Sequence, residues 1–232
     1  MERSGAIPPI RPHPAPSSAR LNQRTWLFDL DNTLHDASAY IFPHIGQTMR
    51  DYICQHLNLG KAEATQLRQR YWKRYGATLL GLMRHHAVDP SHFLYHTHQF
   101  RDLSAMVVKQ RGLKTMLQRL PGRKIIFSNA PCHYTEEVLS IVGIRRCFDA
   151  IYSVERLRFQ PKPATQSFLR LLHGERLNPQ TCIMVEDTLA NLKTAKRLGM
   201  ATVWVTQATH RPPYADIQVK SVLDLPKRLR QL

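Results

Sequence analysis

Short apolar runs that alternate with amphipathic segments constrain this chain more than any other feature. The runs are "TWLFDL" from Thr25, "KIIFSN" over 124–129, "AIYSV" over 150–154, "CIMVED" over 182–187 and "ATVWV" over 201–205. Each has the length and the β-branched or aromatic content of a strand. Between the later runs lie "YTEEVLSIVGI" from Tyr134, "ATQSFLRLLHGER" from Ala164 and "TLANLKTAKRLG" from Thr188, whose apolar residues recur with helical spacing. The last of these ends on Gly199, as a helix C-terminus does. Strand, helix, strand in repetition predicts an α/β fold, a doubly wound parallel sheet covered on both faces. In such a sheet ligands bind beyond the carboxyl ends of the strands.

The alternation breaks once. Between His35 and about Leu113 the chain offers only helix-like stretches such as "IGQTMRDYICQHLNL" and "KAEATQLRQRYWKRYG". This divides the chain into a core over 24–35 and 114–232 and an inserted α-helical cap over 36–113, placed to lie over the strand ends as a lid. Residues 1–23, rich in Pro, Ser and Arg and without periodicity, read as a disordered basic tail.

A chain of 232 residues with 43% hydrophobic content has the material for one globular core carrying a sizeable insert. No apolar segment approaches bilayer length and the N-terminus lacks a secretory signal, so a cytoplasmic protein without a membrane partner is expected. Cys54, Cys132, Cys147 and Cys182 form no C-x-x-C pair and read as reduced thiols. The net charge of +16 favours an anionic ligand. Lysine and arginine are spread along the whole chain without a recognition motif, which argues for a small phosphorylated molecule over a specific nucleic acid.

Polar residues gather where the strands end: Asp29 and Asp31 after the first, Ser128 and Asn129 after the second, Glu186 and Asp187 after the fourth. Lys162 sits between two prolines in the loop after the third. Neighbouring carboxylates repel and lose hydration when packed, so a cation or a transferable proton must stabilise them. Asp29, Glu186 and Asp187, with a contribution from Asp31 through its backbone carbonyl, offer hard oxygen ligands that select Mg²⁺ over softer metals. Ser128, Asn129 and Lys162 supply the donors and positive charge that a phosphate needs. A strand-end carboxylate can attack phosphorus once its charge is neutralised, which selects Asp29 as nucleophile. Asp31 can protonate the leaving alkoxide and then activate water, a general acid and base role typically contributing ~10²–10⁴-fold. Thr33 is expected to hold the loop or bond the nucleophile.

These residues resemble a known family. "DLDNT" matches the DxDxT signature of the haloacid dehalogenase superfamily phosphatases, and "FSN", the Lys162 loop and "VEDTLANL" match its later motifs in order, across roughly residues 24–206. The resemblance implies a Rossmann-like core with a mobile cap and an aspartyl-phosphate route. It assigns Asp29 as nucleophile, Asp31 as acid and base, Ser128 and Lys162 as phosphate binders and Asp187 as metal ligand. Within the insert, "LHDAS", "IFPHI" and "YWKRYGATLLGLMRHHAVDPSHFLYHTH" resemble the cap of the pyrimidine 5′-nucleotidase subfamily. That likeness implies a nucleotide substrate, UMP or CMP.

Plainer readings stand beside these. Ser128 and Asn129 could cap the helix near Tyr134, and a lysine between prolines is commonly a solvated loop residue. His85, His86, His92, His96 and His98 lack the H-E-x-x-H spacing of a zinc site and read as cap surface or substrate contacts. Tyr71, Trp72 and Tyr75 read as helix packing, with stacking on a nucleobase as the alternative. Cys132 has no partner motif for thiol catalysis. A haloacid dehalogenase attacks carbon and has no use for Asp31 or Asp187, whereas a sugar phosphomutase would share every core motif.

Overall fold

The computed structural model describes residues 23–231. The basic tail expected over 1–23 therefore lies outside the described residues apart from Gln23. Six strands form one sheet: β1 (Thr25–Phe28), β2 (Arg123–Phe127), β3 (Ala150–Tyr152), β4 (Cys182–Glu186), β5 (Ala201–Val205) and β6 (Ile217–Val219). Their order is β3-β2-β1-β4-β5-β6 and every neighbouring pair is parallel. From β1 the chain winds outward through β2 and β3, and from β4 it winds the other way through β5 and β6. The order thus reverses between β1 and β4, where a parallel sheet leaves a crevice beyond its strand ends.

Alternation along the strands builds two cores. Trp26 and Phe28 of β1 point into one, with Ile126, Ile183, Val185 and Val203. Helices α6 (Leu113–Arg119) and α7 (Cys132–Val142) close that face through Leu117, Tyr134 and Val138. Leu27 points into the other, with Ile125, Phe127 and Met184. There α8 (Thr165–Glu175) and α9 (Leu189–Arg197) supply Phe168, Leu171, Leu192 and Ala195. A short α10 (Leu225–Arg228) adds Leu225 to the first face.

Between β1 and α6 the chain runs through α1 (Ile41–Leu57), α2 (Lys61–Tyr75), α3 (Thr78–His86), α4 (Pro90–Thr97) and the single turn α5 (Leu103–Met106). These helices have a third apolar cluster of their own, including Tyr52, Ile53, Tyr71, Leu82 and Phe93, which Val154 of the sheet side joins. Helix α1 spans both environments: Ile41 and Ile45 pack into the sheet core, Tyr52 and Ile53 into the helical cluster.

Two details differ from the sequence reading. Several of the apolar runs overshoot their strands: β1 ends at Phe28, β2 at Phe127 and β3 at Tyr152, and residues beyond them, Asp29, Ser128, Asn129 and Val154 among them, line the crevice. Helix α7 begins at Cys132 with Pro131 at its N-cap, so Ser128 and Asn129 do not cap it. No helix among the described residues is long and apolar enough to cross a membrane.

Candidate functional site

The segment after β1 folds into a tight turn. The Leu34 amide donates to the Leu30 carbonyl at 2.9 Å. Asn32 takes a left-handed φ of 58°, a conformation that Asn tolerates because its short amide bonds locally. Its Oδ1 accepts from the amides of Ala37 at 3.1 Å and Ser38 at 3.2 Å. Asp29 stays on the sheet, donating its amide to the Val185 carbonyl at 3.0 Å.

At the strand ends the Lys162 ammonium lies 2.7 Å from Asp29 Oδ1 and 2.7 Å from Glu186 Oε2. Glu186 is saturated: Oε2 also accepts from Asn191 Nδ2 at 2.9 Å, and Oε1 accepts from the amides of Asp187 at 3.2 Å and Thr188 at 3.1 Å. Buried charges require this kind of complete pairing. Lys162 is aimed by a clamp on its own backbone, since Asn129 Oδ1 accepts from the Lys162 amide at 2.7 Å and Asn129 Nδ2 donates to its carbonyl at 3.0 Å. The peptide joining Lys162 to Pro163 is cis. Asn129, expected as a phosphate donor, borders the cavity but spends its Oδ1 and one of its two N–H donors on this clamp.

Asp31 Oδ1 accepts from Tyr134 Oη at 2.6 Å and pairs with His35 Nε2 at 2.9 Å, leaving Oδ2 without a protein partner among the described residues. Ser128 Oγ accepts from the Ala130 amide at 3.0 Å, so its proton is free to point into the site. Thr33 does not line the cavity; its hydroxyl is buried, bonds to nothing among the described residues and does not reach Asp29. Its amide donates to the Leu30 carbonyl at 3.3 Å, so it serves the turn and does not face a substrate.

Asp29, Asp31, Ser128, Asn129, Lys162, Glu186 and Asp187 border one cavity of about 530 Å³, whose remaining wall comes largely from α1, α2 and α3. Ligand oxygens of Asp29, Glu186 and Asp187 lie within 4.8 Å of one another. Three carboxylates there meet one ammonium, and the imbalance shifts their proton affinities. Burial, then the charges of Glu186 and Asp187, push Asp29 well above the usual carboxylate range against the pull of Lys162. Burial, together with Glu186, lifts Asp187 to about 7. Burial opposes the charged forms of Lys162 and Glu186, yet attraction prevails: Asp29 and then Glu186 raise Lys162, and Lys162 lowers Glu186. A cluster of hard oxygens short of positive charge fits a divalent cation such as Mg²⁺. Asp187 Oδ2 and the second oxygen of Asp29 are free for it, whereas Asp187 Oδ1 accepts from Thr188 Oγ1 at 3.3 Å and Glu186 would first have to release a bond. The Asp31 side chain stands outside the three-carboxylate group, consistent with a backbone contribution only.

The histidines assemble no metal site, since Asp29, Glu186 and Asp187 are the one group of His, Cys, Asp and Glu with such spacing among the described residues. His92 bonds to the Tyr52 hydroxyl at 2.8 Å, His86 to that of Tyr71 at 2.8 Å and His85 to that of Tyr75 at 2.6 Å. His98, expected on the cap surface or in contact with substrate, is buried, borders the cavity and packs edge-on to Tyr134. Tyr134, His35 and Asn191 escaped sequence reading because each is defined by a partner that only folding supplies.

Several known proteins are similar to this chain. The chain is 30% identical over 102 residues to Hexitol phosphatase B of Escherichia coli, covering 42% of this chain and 46% of that protein. It is 24% identical over 214 residues to Phosphate metabolism protein 8 of Saccharomyces cerevisiae, covering 84% of this chain and 64% of that one. The chain thus spans about half to somewhat under two thirds of the length of these curated relatives. A HAD phosphatase from Thermococcus onnurineus superposes with a TM-score of 0.64 at 20% identity, over 89% of this chain and 97% of that one, which speaks for the fold alone. The family model of the haloacid dehalogenase-like hydrolases matches residues 26–205, from the strand that carries Asp29 to the end of β5, and the chain belongs to that family.

Proposed function

We propose that this protein is a Mg²⁺-dependent phosphatase that hydrolyses a small phosphomonoester through an aspartyl-phosphate, with a pyrimidine nucleoside 5′-monophosphate, UMP or CMP, as substrate. The observation that carries the reading is the Lys162 ammonium held 2.7 Å from both Asp29 and Glu186 at the strand ends, beside Asp187 and open to a cavity. The names of the two curated relatives point to phosphate chemistry as well.

Asp29, Asp187 and the Asp31 carbonyl would hold Mg²⁺, with Glu186 beside them. When bound, the ion supplies charge neutralisation at the phosphoryl oxygens. Asp29 attacks phosphorus through the oxygen that Lys162 neutralises, the other being left to the ion, and the ester P–O bond breaks as Asp31 delivers a proton from Oδ2 to the departing alkoxide. Asp31 then takes a proton from water, the water oxygen bonds to phosphorus, and inorganic phosphate leaves with Asp29 restored. Ser128 donates to the phosphate while Lys162 neutralises its charge. The helices over 36–113 act as the cap that excludes bulk water. Exclusion strengthens every charge interaction beneath it.

A screen of phosphate release in Mg²⁺ from nucleoside monophosphates, sugar phosphates and phosphoglycolate tests this, with UMP or CMP expected as the best substrate. Asp29→Asn is expected to abolish turnover, and retention of near wild-type rates by that variant would exclude the covalent route. A hexitol phosphate as best substrate would move the protein to a sugar phosphatase, the reading that its likeness to Hexitol phosphatase B favours.

A further inference from the structure

The proposed chemistry uses the polar floor of the cavity and leaves one charged side chain on its helical wall unemployed. Arg68 of α2 lines the cavity. Its Nε is buried without a hydrogen-bond partner, and no carboxylate pairs with its guanidinium among the described residues. A guanidinium carries five donors in a rigid plane and keeps its charge inside a protein. Nε is enclosed by protein, whereas the two terminal nitrogens carry four further donors that no protein group accepts among the described residues, so an acceptor from outside the chain fits there. Lys162, the other lysine or arginine at the cavity, is already shared between Asp29 and Glu186.

The surroundings of Arg68 narrow the chemistry of that acceptor. Trp72, one turn further along α2, falls on the same helix face. It borders the cavity with 62% of its surface exposed, as does Phe42 of α1 with 42%. The guanidinium itself packs over Gly46, where a Cβ would stand 3.7 Å from Nη1. This wall offers two broad aromatic surfaces and one planar donor fork, with Ile45 and Met49 beside them. A polyol would need many small polar partners there and finds few. A flat ring finds aromatic surface to lie against and an edge partner.

The geometry points to Arg68 as the residue that selects the leaving group: with Trp72 and Phe42 it forms a subsite for a flat ring carrying a carbonyl-type acceptor on its edge. Uracil and cytosine both carry such a carbonyl. The assignment rests on the phosphatase reading, because the ring is defined as what departs when the phosphoester breaks.

The test compares kcat/KM for UMP and for ribose 5-phosphate, which shares the phosphoester and sugar but has no ring. Wild-type protein is expected to prefer UMP. Arg68→Met is expected to lower kcat/KM for UMP by ~10–100-fold, the loss of a charged hydrogen bond, and to leave ribose 5-phosphate within about twofold. Turnover of ribose 5-phosphate by the variant also reports that it is folded. Arg68→Lys, which keeps the charge without the planar fork, is expected to recover only part of the loss. Equal losses on both substrates would make Arg68 a structural residue and overturn the assignment. So would wild-type protein that uses both esters equally, or that prefers a bisphosphate to UMP, since the fork would then serve a second anion. Absence of phosphate release from every ester in Mg²⁺ would remove the phosphatase reading itself, and the subsite with it.

Discussion

Tyr134 reaches across 103 positions of sequence to donate a 2.6 Å hydrogen bond to Asp31. Burial, then the charge of Asp31, push the phenol far above its usual range, so it remains a donor. The bond and its neighbour from His35 both end on Oδ1, which orients the carboxylate and leaves Oδ2, the oxygen given the proposed proton transfer, without a protein partner among the described residues. Removing the hydroxyl alone keeps the ring and its packing. Tyr134→Phe is therefore expected to lower kcat by about tenfold, the scale of one hydrogen bond to a charged group, with KM little changed. Steady-state kinetics on the best ester of the screen, beside a thermal melt close to wild type, checks this. Asn129 teaches a related lesson. Its place beside a strand end suggested a ligand for phosphate, and nothing in "FSN" could disclose that its amide turns back to hold Lys162.

Among the helices, the packing of α3 on α2 turns on one missing side chain. A Cβ at Gly81 would fall 2.2 Å from Cγ of Tyr71, whose ring is buried in the helical cluster and bonds to His86 at 2.8 Å. Overpacking of this kind typically costs ~1–3 kcal/mol. Gly81→Ala is expected to lose that much in urea unfolding. An unchanged midpoint would show that the two helices separate freely. At this scale the strands and core helices were largely legible, because "WLF", "IIF" and "IMV" are continuous apolar runs of the kind that a doubly covered sheet demands. The strand β6 was not, since "IQV" is three residues long with a glutamine at its centre and pairs only with β5. Tertiary context makes it a strand. The carboxylates gathered around Lys162 can be named from the sequence, while Asn191, the clamp, the Tyr134 bond and the Arg68 wall all depend on which way side chains turn.

For the molecule as a whole, His98 sits where the helical segment meets the sheet core, at the end of α4 and 5.7 Å from the Tyr134 ring. Its Nδ1 lies 3.1 Å from the Leu94 carbonyl, and the His133 Nε2 lies 3.3 Å from the carbonyl of His98. Burial lowers its pKa from 6.5 to about 4, against the pull of that carbonyl and of Asp31. Because the folded value lies below the unfolded one, the unfolded chain binds the proton first. The contribution is fully present above pH 6.5 and is lost as the pH falls through this interval towards 4. At about 1.4 kcal/mol per pH unit the total is about 3 kcal/mol. Urea unfolding between pH 7 and 4 is expected to fall less steeply in His98→Gln than in wild type, and identical slopes would refute the assignment.

The strand order also bears on how the protein is made. Thr25–Phe28 leaves the ribosome before the other five strands, yet in the finished sheet it sits between residues 123–126 and 182–185. Vectorial synthesis therefore leaves Trp26, Leu27 and Phe28, fully enclosed at the end, without sheet neighbours for most of translation. A nascent chain stalled short of residue 182 presents one flank of that strand unpaired, which makes it a natural client for a holding chaperone.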